Sequence, residues 1–271
     1  MKVLRGLFLW ACVLAVVLPL LWVVLGSFKP SLQVIADPWG LPSPFKPQNY
    51  REAWTEAAIG TGFLNSLIVT LTTLLILLPI GAMASYVLAR FKFWGRTFIA
   101  NTFLAGMMFP VFLVMIPLFL LMRTLGLTNS LGGLIIVYVA YSLSFTIFVL
   151  QGFFQAIPVE LEEASLLDGC SESALFWRVM LPIAKPGLIV VGIFNAIGLW
   201  NEYGLALVLM TEKSQRTLPL AIADLSQTQQ YQADYGALFA ALVIVMVPLL
   251  ILYWFIKDRL KESMLAGSLK G

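Results

Sequence analysis

Long uncharged runs separated by short charged clusters dominate this chain. Between Arg5 and Lys29 stand 23 uncharged residues, between Glu56 and Arg90 33, between Arg96 and Arg123 26, between Arg123 and Glu160 36, and between Asp234 and Lys257 22. A helix crossing about 30 Å of hydrocarbon needs about 20 residues, and a charge at its centre costs about 2.5–3.5 kcal/mol, so charges should punctuate spans. Each gap accommodates one helix, and the longest is too short for two spans and a turn. The stretch from Lys185 to Glu212, interrupted only by Glu202, reads as a sixth. The pattern predicts spans near 7–27, 63–89, 98–122, 131–153, 187–210 and 236–256.

The expected fold class is therefore an all-α polytopic membrane protein with six transmembrane helices. Its organisation reads as an N-terminal anchor helix and outer loop over 1–62, a transmembrane core over 63–257 containing an inner loop at 158–186, and a C-terminal tail over 258–271. Lys2 and Arg5 precede the first apolar run as in a secretory signal, but that run of about 20 residues exceeds the usual h-region of about 7–15. It is expected to remain as an anchor.

Composition narrows the function classes. With 60% hydrophobic and 11% charged residues, disorder and a nucleic-acid-wrapping surface are excluded. The chain has no histidine, which removes Ser-His and Cys-His catalysis, histidine proton relays and histidine metal sites. An intramembrane hydrolase also lacks paired aspartates within spans. Cys12 lies in an apolar run and Cys170 in a charged loop, so no disulfide between them is expected.

Lysine and arginine set the orientation. With the N-terminus inside, the inner segments carry 11 of them and the outer loops 6. Both termini are expected in the cytoplasm, and the net charge of +3 follows from this bias without a nucleic-acid partner.

The outer loop 28–61 holds Pro30, Pro38, Pro42, Pro44 and Pro47 with Trp39 and Trp54. That composition favours extended chain and short interfacial helices, serving either an external partner or a plain connector. Prolines inside spans, Pro19, Pro79, Pro110, Pro117 and Pro248, each remove a backbone donor and bend a helix. The stripe Gly81, Ala82, Ala84 and Ser85 marks close helix packing.

The inner loop 158–186 is the most informative segment. Pro158 suits a helix start, Glu160 to Leu167 continue it, and Gly169 after Asp168 suits a left-handed stop. Ser171 can cap a second short helix whose Leu175, Phe176, Val179 and Met180 form one apolar face. Leu181-Pro182 and Pro186-Gly187 then break the chain. The loop thus offers an apolar knob with a carboxylate collar. Glu160, Glu162, Glu163, Asp168 and Glu172 outnumber Arg178 and Lys185, which argues against resting on anionic lipid and for docking into another protein.

Here the sequence resembles the permease subunits of ATP-binding-cassette importers, whose signature reads Glu-Ala-Ala, three residues, Gly, nine residues, Ile-x-Leu-Pro. This chain has Glu163-Ala164-Ser165, three residues, Gly169, nine residues, then Val179-Met180-Leu181-Pro182, with Ser165 and Val179 as conservative departures. Asn65-Ser66-Leu67, Trp200-Asn201-Glu202-Tyr203, Thr217-Leu218-Pro219-Leu220 and the ending Ala266 to Gly271 are similar to the MalG-like carbohydrate-uptake branch. The resemblance covers essentially the whole chain. It implies the type I importer fold (MetI-like, MalG-like), a bacterial or archaeal cytoplasmic membrane, a second homologous MalF-like permease subunit, two ATPase subunits and an extracytoplasmic solute-binding protein.

No G-x-x-x-x-G-K-[ST] loop occurs, so this chain cannot cradle ATP itself; no cofactor is expected in it, and ATP and magnesium are expected on the partner ATPases. It is expected to be a non-catalytic subunit. The candidate coupling residues are Glu163, Ala164, Ser165, Asp168, Gly169, Phe176, Val179, Leu181 and Pro182, with Phe176 anchoring the loop in an ATPase cleft and Glu163 and Asp168 meeting basic groups. By the same resemblance, Gly267, Ser268 and Lys270 in the tail reach the ATPase, a frayed terminus being the alternative.

For the substrate pathway, Asn195, Trp200, Asn201 and Glu202 gather amides, an indole and a carboxylate suited to a sugar, and Tyr138 and Tyr141 are further candidates. The same groups also serve as interhelical bonding or face water. The rival reading is a proton-coupled secondary carrier titrating Glu202.

Overall fold

The computed structural model describes residues 2–232 and 234–268, and among these every regular element is helical. In chain order they are α1 (Lys2–Gly26), α2 (Ser31–Ala36), α3 (Gln48–Arg51), α4 (Ile59–Arg90), α5 (Arg96–Met108), α6 (Val111–Thr124), α7 (Leu131–Gln155), α8 (Glu160–Leu167), α9 (Glu172–Leu175), α10 (Leu181–Ile183), α11 (Lys185–Trp200), α12 (Gly204–Leu209), α13 (Leu218–Gln232) and α14 (Tyr235–Ser268). Wide π-turns follow α3 at Glu52–Glu56 and α9 at Phe176–Met180.

Four of these helices, α1, α4, α7 and α14, contain stretches long and apolar enough to cross a membrane, and the number is up to six if each of two bent pairs counts as one span. The expected third span is α5 and α6 meeting at 103°. Pro110 causes the break, because it lacks an N–H and forces the preceding Phe109 into extended backbone (ψ 124°). Pro19, Pro79, Pro117 and Pro248, by contrast, lie inside continuous helices. The expected fifth span is α11, which meets the preceding helical segment at 70° and stops at Trp200 before α12 restarts at Gly204.

The chain divides into two compact units. The first comprises residues 1–65 and 213–256. Within it, Trp22 packs edge-on to Phe239 at 5.0 Å, and Gly26 faces the same ring with no room for a side chain. The proline-rich segment holds short helices, as its composition predicts. Lys29 is fully buried there and donates to the Asp37 and Pro38 carbonyls at 2.9 Å. Asn65 donates to the carbonyls of Ser214 and Arg216.

The second unit comprises residues 66–212 and 257–271. Its centre is α7, with 56% of its most apolar stretch buried, whereas the corresponding stretch of α1 has none. The Gly81 stripe does what small residues do in such spans. A methyl at Gly81 would collide with Thr146 of α7, and the buried Ser85 hydroxyl donates to the Gly81 carbonyl at 2.6 Å and the Ile147 carbonyl at 3.3 Å. One core cluster gathers Tyr86, Leu150, Phe154, Leu175, Phe176 and Met180.

Candidate functional site: the 158–186 loop and the break after Trp200

The loop between α7 and α11 folds as α8, a left-handed turn and α9 continuing into the Phe176–Met180 π-turn. Cys170 N–H bonds the Ser165 carbonyl at 3.1 Å and Gly169 N–H the Leu166 carbonyl at 3.0 Å, closing α8, with Gly169 at φ +84°. Glycine takes this conformation without the steric cost a side chain brings. Ser171 caps α9 by accepting from Ala174 N–H at 3.3 Å. Glu160, Glu163, Ala164, Asp168 and Gly169 are exposed, while Ser165 is half-buried and donates to the Leu161 carbonyl. Open space surrounds the position a Gly169 side chain would take. Leu167 beside this turn is 90% exposed.

The apolar face of the second half points the other way. Phe176, expected as the outward anchor, is buried against Tyr86 and Phe154 of its own unit at ring distances of 5.2 and 6.4 Å. Leu175 and Met180 are buried with it, and Val179 and Leu181 pack on the same cluster. The residue spacing defined a face, and the chain's own aromatic core covers it. Pro182 is exposed near the start of α10. The outward apolar groups are instead Leu161, Leu166, Leu167 and Trp177.

An interaction absent from the candidate set ties this loop down. Arg90 Nε, at the end of α4, stands 2.6 Å from Glu162 Oε1 of α8, and Arg90 Nη2 donates to the Ile157 carbonyl. The sequence signal was available: Arg90 is the charge that ends a 33-residue uncharged run.

At the other end of α11, the candidate pathway residues separate. Asn195 is buried and donates to Thr146 Oγ1 at 3.1 Å and to the Val191 carbonyl at 3.0 Å. Trp200 and Tyr138 are also buried. Glu202 accepts from the Tyr138 hydroxyl at 2.5 Å, Leu205 N–H at 2.7 Å and Ala206 N–H at 3.1 Å. The carboxylate thus satisfies amides of the first turn of α12, where a negative charge also suits the helix dipole. Asn201 and Tyr141 are exposed, the Asn201 amide donating to the Ile197 carbonyl of its own helix. Of the tail candidates, Lys270 lies outside the described residues, and Gly267 and Ser268 are described only as backbone of α14. Among the described residues no group of three or more acids and cysteines is placed to hold a metal.

The fold matches a crystal structure of a bacterial ABC transporter that imports the acidic polysaccharide alginate, with TM-score 0.78, 23% identity and 95% of each chain covered. The diacetylchitobiose uptake system permease protein NgcG of Streptomyces coelicolor is 43% identical across 97% of this chain and 87% of its own length. The trehalose transport system permease protein SugB of Mycobacterium tuberculosis is 32% identical across 94% and 92% respectively. The proton-coupled alternative finds no such support, and the Glu202 carboxylate it requires serves as a helix cap. The family model described as binding-protein-dependent transport system inner membrane component matches residues 77–264, and this multi-pass membrane chain belongs to that family of non-catalytic ABC transporter permease subunits.

Proposed function

We propose that this chain forms half of the translocation pathway of an ATP-driven sugar importer, paired with a second permease subunit, two cytoplasmic ATPases and an extracytoplasmic solute-binding protein. The observation that carries the reading is the exposed acidic turn Glu163 to Gly169, set outward while Leu175, Phe176 and Met180 close inward. A projecting turn with carboxylates and an exposed leucine suits a cleft with basic rims on another protein. The ATPases bind ATP and magnesium, and their closure switches the helices between two packed states. The loop and both termini face the cytoplasm. Diacetylchitobiose, trehalose and maltotriose are the first sugars to test, since two relatives are named for uptake of the first two and a third is named as a probable starch degradation products transport permease.

Copurification of the tagged chain should recover a second permease and an ATPase. Vesicle uptake of one of the sugars should require ATP and the binding protein and resist protonophores. In a Cys12→Ser background, a membrane-impermeant maleimide should label Cys170 in inverted vesicles only. Labelling of Cys170 from outside, or uptake by the purified chain alone, overturns the proposal.

A further inference from the structure

We propose that Arg90 and Glu162 are positioning residues that pin α8 to the end of α4, so that movement of the ATPase-facing turn reaches a membrane-spanning helix instead of being absorbed by bending of the loop. This rests on the permease reading above and goes beyond it by naming the transmission point. Glu160 and Glu163 of α8 are exposed, whereas Glu162 turns inward. The Arg90 and Glu162 side chains are only 10% and 15% exposed, so salt screens their attraction weakly. The guanidinium meets Glu162 through Nε as an ion pair without hydrogen-bond geometry, and at the same time donates through Nη2 to the Ile157 carbonyl, two contacts on separate nitrogens that a single lysine ammonium does not reproduce.

The surroundings make this end of α4 a grip. One turn before Arg90, Tyr86 packs on Phe154 of α7 at 5.5 Å and on Phe176 at 5.2 Å. The last two turns of α4 therefore hold α8 by charge and the second half of the loop by aromatic packing. Arg96 donates through Nε to the Leu88 carbonyl at 2.8 Å and through Nη2 to the Ala89 carbonyl at 3.3 Å, satisfying carbonyls that a helix end leaves open. Further along, the close approach at Gly81 and the Ser85 bond join α4 to α7. A displaced α8 would thus carry two packed helices as one body.

The test has two arms. In the full chain alone, Arg90→Ala should raise amide exchange over residues 158–170 by about tenfold while the buried part of α7 stays protected. In the complete assembly, with diacetylchitobiose, trehalose and maltotriose as probes, Arg90→Ala should retain the ATPases and their hydrolysis but move about fivefold less sugar per ATP, because removing one partner strands a buried charge. Arg90→Lys should lie between. The exchanged pair Arg90→Glu with Glu162→Arg should recover most of both readouts. Unchanged exchange overturns the pin, as does a parallel fall of uptake and hydrolysis, which is the signature of lost folded protein. Failure of the native assembly to transport any sugar with ATP overturns the permease reading instead, while exchange in the chain alone still judges the pin.

Discussion

The turn at Asp168-Gly169 and the break at Trp200–Gly204 both place an acid where a helix is interrupted, and they use it in opposite ways. At the first, Glu163 and Asp168 are exposed and the space around Gly169 is open. At the second, Glu202 is taken up by the Tyr138 hydroxyl and two backbone amides. Residue type is shared; burial and donors decide the role. An acid with solvent on its outer side is available to a partner, whereas an acid that accepts from several donors holds the irregular backbone between α11 and α12, where unmet N–H groups are costly.

The sharpest way to break this contrast is Gly169→Leu. The left-handed backbone costs a side chain about 1–2 kcal/mol, and no neighbour within 4 Å of the new Cβ adds to that. Thermal unfolding of the chain in detergent should therefore shift modestly. Uptake by the assembled transporter should fall by about tenfold or more, since a 1.4 kcal/mol loss at a docking face already changes occupancy tenfold. Native uptake by this variant would remove the turn from the coupling surface.

Glu202 should show the reverse profile. Glu202→Ala removes a cap worth about 1 kcal/mol and strands the buried Tyr138 hydroxyl at about 1–3 kcal/mol. Chain stability should drop by roughly their sum, and Glu202→Gln, which keeps an acceptor, should lose about half as much. Protonophores should leave uptake by both variants and the native protein unaffected. An unchanged unfolding midpoint in Glu202→Ala would put the carboxylate back among free polar groups.

The same contrast explains which features were legible from sequence. Charge spacing located the four long apolar helices and the bent pair α5–α6, and placed the fifth stretch only in part since α11 ends at Trp200, because the insertion cost of a charge acts on each residue independently of its neighbours. The glycine turn was legible too, since a left-handed position selects its residue type locally. Direction was not. Pro110 and Pro117 look alike as letters, yet the chain breaks at one and continues through the other, so the residue type alone does not fix the outcome. Likewise the spacing of Leu175, Phe176, Val179 and Met180 defines a face without saying whether Tyr86 and Phe154, distant in the chain, will cover it. Pair interactions such as Arg90 with Glu162 are equally invisible until α4 and α8 are brought together.

The smallest expected effect on stability belongs to Asn201, an exposed candidate for sugar contact. Asn195 and Asn201 were equal candidates for sugar contact, but Asn195 is spent on Thr146 and the Val191 carbonyl. Asn201 bonds only within its own turn, to the Ile197 carbonyl, and stays exposed. Asn201→Ala should leave chain stability within about 0.5 kcal/mol, as surface substitutions do. Asn195→Ala should cost about 1–2 kcal/mol by leaving the buried Thr146 hydroxyl without this partner. In uptake assays the order inverts: Asn201→Ala should raise KM for the transported sugar several-fold, a hydrogen bond to a neutral partner being worth about 0.5–1.5 kcal/mol, with hydrolysis unchanged. Asn195→Ala should alter the amount of folded transporter and leave KM alone. If KM responds to Asn195 and not to Asn201, the buried face of α11 lines the pathway in the transporting state, and the two asparagines exchange roles.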